Sequence, residues 1–199
     1  KNNYSFSQKL LDFAYTNLIS FIYASSASVY GEGTKFEEVK ENENPINLYA
    51  FSKYLFDQLV RQRLKDHKIQ IVGLRYFNVY GPNESHKGQM ASVAYHLHEQ
   101  LKEGNEVKLF EGSDGYEAGE QRRDFVYVDD VVKVNLWFME NVEISGIFNV
   151  GIMGFTALGG LAAVLVSYSP VHEAWRVGGF GMIKSLFLLI ITIFVVYFL

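Results

Sequence analysis

The sequence contains no cysteine, and its basic residues are scattered along the chain. The first absence excludes disulfide frameworks, thiolate metal sites and cysteine nucleophiles, and it suits a cytoplasmic protein in a reducing compartment. Because the formal net charge is -4, the chain also lacks the basic face of a nucleic-acid-binding protein. An anionic ligand would therefore need locally placed basic groups.

We expect no secretory leader, since the chain starts at Lys1 and no apolar run with a small-residue cleavage site follows it. We therefore expect the chain to begin inside a longer gene product. Charged residues are scarce after Gly151, and the exceptions are Glu173, Arg176 and Lys184. This boundary predicts a domain over residues 1–151 and an apolar tail over residues 152–199.

The predicted tail has two strongly apolar stretches, residues 154–166 and 185–199. A helix over the second stretch would span about 23 Å, against a hydrocarbon core of about 30 Å. One interpretation is a C-terminal helical membrane anchor, with the first stretch as its hairpin partner. The other is a frameshift product that belongs to no enzyme, and both interpretations stay open.

Apolar periodicity in the first part predicts helices over residues 4–17, 48–65, 90–103 and 131–140, the last capped by Asp129 or Asp130. Short apolar runs predict strands over residues 18–24, 69–77, 125–128 and 146–150. Helices that alternate with apolar strands favour crossover units on a parallel sheet, so the predicted fold class is α/β. Ligands of such sheets bind at the carboxyl ends of the strands.

Candidate catalytic residues, namely two serines, a tyrosine and a lysine, lie at the end of the first predicted strand and on the helix that follows it. Ser25 and Ser26 end the first strand, and Tyr49 lies four residues before Lys53, on the same face of the next helix. A phenol, with an ordinary pKa of about 10, is a poor base, but a neighbouring ammonium favours its phenolate. Taken alone, the Tyr-x-x-x-Lys spacing is more often a core edge with a solvated lysine.

The flanking motifs make the spacing specific. It follows Tyr-Ala-Ser-Ser-Ala-Ser-Val-Tyr-Gly at residues 23–31 and precedes Leu-Arg-Tyr-Phe-Asn-Val-Tyr-Gly-Pro at residues 74–82. In this order the motifs resemble the extended short-chain dehydrogenase/reductases, which have a Rossmann-like, doubly wound parallel sheet. Residues 86–94, 109–113 and 122–128 narrow the resemblance to the heptose epimerase branch. It covers residues 1–151.

The resemblance implies epimerisation of ADP-glycero-manno-heptose at C6, in lipopolysaccharide precursor synthesis, with NADP as cofactor. Hydride would leave C6, a transient carbonyl would form, and hydride would return to the opposite face. Tyr49 and Lys87 match the two catalytic bases, and Ser26 matches the serine that orients the reacting oxygen. Lys53, Val79 and Lys87 match cofactor contacts. No metal is implied, and complete members form homo-oligomers.

The matched substrate positions are Asn78, Gln89, His96, Phe110, Glu111, Gly112, Ser113 and Arg123. A guanidinium suits a diphosphate because its fork of donors matches phosphate oxygens. Without the resemblance, Lys87 and Arg123 would be interpreted as solvated surface charges. Gln89 departs from the family, which often has serine there, and residues 114–121 form a longer segment than in some relatives.

The family holds the cofactor pyrophosphate at a Gly-x-x-Gly-x-x-Gly turn, and this sequence contains none. We therefore expect the first βαβ units to be missing and the activity of this chain to be impaired. Two alternatives remain. One is another nucleotide-sugar epimerase or dehydratase, which the His-Lys-Gly loop at residues 86–88 argues against. The other is a catalytically dead, membrane-tethered remnant of a broken gene.

Overall fold

A computed structural model describes residues 3–66, 68–104, 106–112, 115–151 and 156–157. The described residues of Lys1–Val79 and Phe125–Ile152 form one compact unit, and those of Tyr80–Asp124 and Met153–Leu199 form a second. Both apolar stretches of the predicted tail lie outside the described residues, apart from Thr156 and Ala157. Each helix that the structure describes is too short or too polar to span a lipid bilayer.

The helices and strands follow one another in the order α1 (Ser5–Thr16), β1 (Phe21–Ser26), α2 (Leu48–Arg63), β2 (Ile71–Tyr76), β3 (Asn78–Tyr80), α3 (Val93–Glu103), β4 (Arg122–Arg123), β5 (Phe125–Tyr127), α4 (Val128–Glu140), β6 (Gly146–Val150) and β7 (Thr156–Ala157). Short 3-10 helices cover Ala27–Tyr30, Lys40–Asn42, Leu64–Asp66 and Ser85–Met90.

The first unit is built on a three-stranded sheet in the order β1-β2-β6. Both strand pairs are parallel, and the register places Ser26 beside Tyr76 and Tyr76 beside Val150. The carboxyl ends of the three strands therefore lie at one edge. This confirms the predicted α/β, Rossmann-like parallel sheet and its crossover connections.

Helices cover both faces of this sheet. On one face Leu11 of α1 and Phe56 and Val60 of α2 pack with Ile71. On the other face Phe138 of α4 packs with Val72, Leu74 and Val150. Neighbouring residues of a strand point to opposite faces, so β2 contributes side chains to both clusters. Its sequence is therefore almost continuously apolar. Each fully buried aliphatic or aromatic side chain contributes about 1.5–3 kcal/mol to the free energy of folding.

Gly73 is needed in the middle of β2 because the Tyr23 side chain of β1 crosses over it. A Cβ at position 73 would lie 2.5 Å from the Tyr23 hydroxyl oxygen and 2.6 Å from the ring carbon that bears it. The missing side chain therefore lets the Tyr23 hydroxyl reach α2.

In the second unit, α3 begins after Ser92, whose Oγ accepts from the Tyr95 N–H at 3.1 Å. Ala94 and Leu97 form its buried face. Strands β4 and β7 are antiparallel, with Arg123 beside Thr156.

Three predictions of element boundaries are wrong. The strand predicted from residue 18 begins at Phe21, because Leu18 has a φ of 58° in the turn after α1. The helix predicted from residue 90 begins at Val93, and Met90 ends a 3-10 helix with 86% of its surface exposed. Neither Asp129 nor Asp130 caps α4, since both lie in the first turn of a helix that starts at Val128.

Candidate active site

Tyr49 and Lys53 lie in the first two turns of α2. The helix starts at Leu48 because the Asn47 Oδ1 accepts from the Ala50 N–H at 2.8 Å, which satisfies a free donor of the first turn. The Lys53 Nζ lies 5.8 Å from the centroid of the Tyr49 ring, and 49% of Tyr49 is exposed. The predicted pairing of phenol and ammonium on one helix face is therefore present.

Lys53 also ties α2 to the carboxyl end of β1. Its Nζ donates to the Ala24 carbonyl oxygen at 2.8 Å, two residues before Ser26. Burial lowers the pKa of Lys53 below its usual value, and the attraction of the Asp57 carboxylate partly offsets this. The ammonium thus lies at the sheet edge where ligands of parallel sheets bind.

The two serines at the end of β1 have different contacts. Ser25 is 3% exposed, and its hydroxyl donates to the Asp57 Oδ2 at 2.9 Å. The Ser26 Oγ accepts from the Ser28 N–H at 3.2 Å and from the Ser28 hydroxyl at 2.9 Å, at the start of the 3-10 helix Ala27–Tyr30. Neighbouring residues of a strand point to opposite faces, which explains why only Ser25 reaches Asp57. Ser26 is therefore the serine whose hydroxyl is not bonded to the buried Asp57.

A buried ionic cluster lies beneath this edge. Asp57, one turn after Lys53, accepts from the Tyr23 hydroxyl at 2.8 Å and from the Arg75 Nη2 at 2.8 Å. Arg75 also pairs with Glu43 and donates to the Tyr30 hydroxyl at 3.0 Å. The side chains of Asp57, Arg75 and Glu43 are fully buried.

Neighbouring groups determine the protonation states of Glu43 and Tyr23 in this cluster. Burial alone would raise the pKa of Glu43, but hydrogen bonds from Arg61 and Arg75 outweigh it and lower that pKa below its usual range. Burial, reinforced by the Asp57 charge, raises the pKa of Tyr23 well above its usual value. Tyr23 is therefore a neutral donor to Asp57.

Sequence reasoning missed this cluster. The available signal was an arginine in an otherwise apolar strand, because a buried charge requires a partner.

Asn78 and Val79 form most of β3, directly after β2. Asn78 is exposed and Val79 is partly buried. The Phe77 N–H donates to the Val150 carbonyl oxygen at 3.1 Å, which continues the pairing of β2 and β6 beyond Tyr76. Ser26, the last residue of β1, and Asn78, which comes just after β2, therefore lie at the same edge of the sheet.

The other predicted site residues belong to the second unit. Lys87 lies in the 3-10 helix Ser85–Met90, with 41% of its side chain exposed, and its Nζ is 3.3 Å from the Glu84 Oε2. Gln89 is exposed in the same helix. His96 is partly buried on α3, with its ring 6.0 Å from that of Tyr95. The joining of Lys87 and Tyr49 around one substrate stays a prediction.

The remaining residues lie further along the second unit. The carbonyl oxygens of Phe110 and Glu111 accept from the Gly119 N–H at 3.0 Å and from the Gln121 Nε2 at 2.5 Å, respectively. Gly112 is exposed, and Arg123 is exposed on β4. Ser113 lies outside the described residues. Among the residues that the structure describes, no group of three or more metal-binding side chains could hold an ion.

Comparisons with known proteins agree with these motifs. Residues 1–151 match the model of the NAD dependent epimerase/dehydratase family. A relative from Thiobacillus denitrificans, named ADP-L-glycero-D-manno-heptose-6-epimerase, is 59% identical over 150 residues, which cover 75% of this chain and 45% of the relative. The chain thus spans about half the length of this curated relative.

Solved structures give a similar result. The ADP-L-glycero-D-manno-heptose-6-epimerase of Helicobacter pylori is 40% identical with a TM-score of 0.74, and the match covers 83% of this chain and 50% of that one. The UDP-glucose 4-epimerase of Thermotoga maritima is 33% identical with a TM-score of 0.66, over 82% and 52% of the two chains.

Proposed function

Because the chain belongs to the NAD dependent epimerase/dehydratase family, we propose that it forms the substrate-facing half of an enzyme that epimerises ADP-glycero-manno-heptose at C6. The observation that carries this proposal is the Lys53 ammonium between the Tyr49 ring and the carboxyl end of β1. The choice of substrate is supported by the two relatives named as heptose epimerases, at 59% and 40% identity, against 33% for the UDP-glucose 4-epimerase.

NADP is the proposed cofactor, and the sheet edge suits one part of it. An ammonium has three N–H donors, and one of those of Lys53 goes to Ala24, so two can serve ribose hydroxyls. When bound, the nicotinamide provides reversible hydride transfer with the sugar carbon. The pyrophosphate would require a glycine-rich turn that this sequence lacks, so we propose that the chain alone binds the cofactor weakly.

The protein residues move the proton of the reacting hydroxyl. Tyr49, with the charge of Lys53 beside it, takes that proton as the hydride leaves C6. Ser26, at the end of β1, holds the oxygen in place. Lys87 returns a proton to the oxygen when the hydride comes back to the opposite face. Two groups are needed because the two faces of the carbonyl are used in turn.

The proposed enzyme is cytoplasmic and homo-oligomeric. Large apolar side chains on the two helices of one sheet face support self-association, since Phe6 and Phe13 of α1 are 61% and 62% exposed and Phe51 of α2 is 47% exposed. Membrane contact through the tail depends on residues outside those described, and it stays a prediction.

A chimera tests the proposed function. Residues 1–151 replace the matching segment of the Thiobacillus denitrificans relative, and the product is assayed with ADP-heptose and NADP. We expect interconversion of the C6 epimers, and we expect Tyr49→Phe to lower kcat by about 10²–10⁴-fold, since it removes the base. Tyr54→Phe is the matched control, because Tyr54 lies on the same helix and stacks on Phe51.

Two results would count against the proposal. One is a folded chimera that epimerises UDP-glucose at C4 and leaves ADP-heptose unchanged. The other is a Tyr49→Phe chimera that is as active as the Tyr54→Phe control.

A further inference from the structure

Three residues of α2 form a row along one face of the helix. Tyr49, Lys53 and Asp57 are spaced four positions apart, so each lies about one helical turn from the next. The row runs from the surface into the core, since Tyr49 is 49% exposed and Asp57 is fully buried. A movement of the helix therefore displaces all three side chains together.

Two of these residues bond to three consecutive residues of β1. The Asp57 carboxylate accepts from the Tyr23 hydroxyl at 2.8 Å and from the Ser25 hydroxyl at 2.9 Å. Between them, the Ala24 carbonyl oxygen accepts from the Lys53 Nζ at 2.8 Å. Asp57 thus holds the residues on either side of the one that Lys53 reaches.

The Ala24 carbonyl group lies on the outer side of β1. This strand is at one end of the sheet, whose order is β1-β2-β6, and among the described residues no strand pairs with its outer side. The Phe21 N–H donates to the Gln70 carbonyl oxygen, and successive residues of a strand direct their backbone groups to alternate sides, so the Ala24 group points away from β2. The length of the bond from Lys53 is therefore set by where α2 lies over this edge.

Asp57 is held in turn by Arg75 of β2. The Arg75 Nε and Nη2 donate to the Asp57 Oδ2 at 3.0 Å and 2.8 Å, and both side chains are fully buried. Charge-assisted hydrogen bonds are stronger than neutral ones, so Asp57 is a firm point of attachment between α2 and the sheet. A shift of α2 by about 1 Å would break the bond of Lys53, because hydrogen bonds do not extend beyond about 3.5 Å.

We propose that Asp57 is the positioning residue for Lys53, because it fixes α2 at the place where the ammonium reaches both the Ala24 carbonyl oxygen and the Tyr49 ring. This inference rests on the proposed function, in which Lys53 supports the Tyr49 base and binds the ribose. The Asp57 side chain is fully buried, so it touches neither substrate nor cofactor. It acts only through the place at which it holds Lys53.

The first test measures how fast Lys53 is acylated in the 199-residue chain at pH 8, with an amine-reactive ester and mass spectrometry. Lys9 of α1, which is exposed, is the internal reference. A Tyr23→Phe/Ser25→Ala double variant removes both bonds of Asp57 to β1 and keeps the carboxylate. We expect the Lys53 rate to rise by about tenfold, because the hydrogen bond that protects its ammonium is lost.

Val60→Ala is the matched control. Val60 is fully buried on the same helix, in a cluster with Leu11 and Ile71, so its truncation loosens the core without removing a bond to β1. We expect the Lys53 rate to stay within about twofold. An equal rise in Val60→Ala and in the double variant would show that Asp57 only supports the core.

The second test uses an active chimera and determines whether the effect passes through Lys53. We expect the Tyr23→Phe/Ser25→Ala double variant to lower kcat by about tenfold, while KM for ADP-heptose stays within about twofold. In a Lys53→Met background the same double variant should change kcat by less than about twofold, because the side chain that Asp57 positions is already absent. Equal losses of kcat with and without Lys53 would contradict the inference.

The acylation result does not depend on turnover, so the two proposals fail separately. An inactive chimera would count against the proposed function and leave the effect of Asp57 on Lys53 measurable. A native Lys53 acylation rate in the double variant would overturn the inference and leave the proposed function standing.

Discussion

Asp57 connects the residues of the candidate site to the core of the first unit. Its carboxylate joins Tyr23 and Ser25 of β1 to Arg75 of β2, and it lies one helical turn after Lys53. Because each contact has a defined direction, the cluster fixes how α2 rotates over the sheet. That rotation decides where Tyr49 and Lys53 face.

Arg75 should contribute more to stability than Asp57. Removal of one partner of a buried ion pair costs about 3–5 kcal/mol, because the other charge is left buried. Arg75→Met leaves Asp57 without its cation, whereas Asp57→Asn leaves Arg75 paired with Glu43. We expect the larger loss of unfolding free energy for Arg75→Met, measured by urea titration of the chain.

Lys133→Met is the control for that comparison, since Lys133 and Asp130 form an exposed pair and the loss should be within about 1 kcal/mol. Equal losses for Arg75→Met and Lys133→Met would contradict the role assigned to the cluster.

Residue spacing explains which site residues the sequence could predict. Tyr49 and Lys53 are four positions apart on one helix, so local geometry decides their relation. Asp57 and Glu43 lie 18 and 32 positions from Arg75, and only the parallel pairing of the strands brings them together. Glu84, which is 3% exposed and pairs with Lys87, was missed for another reason, because a loop glutamate is normally solvated and nothing in its neighbours signals burial.

At the scale of elements, a side-chain cap did not by itself make a helix start predictable, since α2 and α3 both have one and only the start of α2 was predicted correctly. Helix α2 begins at Leu48 as predicted, after the Asn47 cap. Helix α4 has no such cap and begins before the two aspartates, because the β5 backbone leads directly into it. The start of β1 depends on the left-handed turn at Leu18, a conformation that leucine rarely adopts and that the sequence does not signal.

Gly73→Ala tests the close packing of β1 and β2. The added methyl would meet the Tyr23 ring and hydroxyl at 2.5–2.9 Å, so the ring must shift and its bond to Asp57 must weaken. We expect a loss of about 1–3 kcal/mol in unfolding free energy, measured by thermal or urea unfolding.

Gly104→Ala is the matched substitution, because Gly104 has an extended backbone and nothing lies within 4 Å of the position of its Cβ. A Gly73→Ala protein as stable as Gly104→Ala would show that the Tyr23 ring moves without cost.

At the scale of the whole molecule, stability should depend on pH at both ends of the range. The pKa values of Glu43 and Glu84 are lowered from 4.5, so their contribution is complete above that pH and is lost as the pH falls through the lowered values. The pKa of Tyr23 is raised well above 10.0, so its contribution is lost as the pH rises from 10 toward the raised value. We expect a plateau between the two limbs, measured by urea titration from pH 3 to pH 11.

Tyr23→Phe tests the share of Tyr23 in the loss of stability at alkaline pH. It removes one titrating hydroxyl and should make the fall above pH 10 shallower. The pKa values of Tyr30 and Tyr76, raised by burial, contribute to that fall in both proteins, and the lowered pKa of Lys53 acts with the opposite sign in both. An equally steep alkaline fall in Tyr23→Phe would show that Tyr23 does not contribute to it and that the other buried tyrosines account for the loss.

Asn149 of β6 forms hydrogen bonds that hold the segment after β1 against the sheet. The Tyr30 hydroxyl donates to the Asn149 Oδ1 across 119 positions, and the Asn149 N–H donates to the Glu38 Oε1 across 111 positions. Ribosomes add about 5–20 residues per second, so these partners emerge on the order of 5 to 25 s apart. During that interval the newly made segment from Tyr30 to Glu38 is open to chaperones and proteases, and the first unit can complete its folding only after residue 149 has left the exit tunnel.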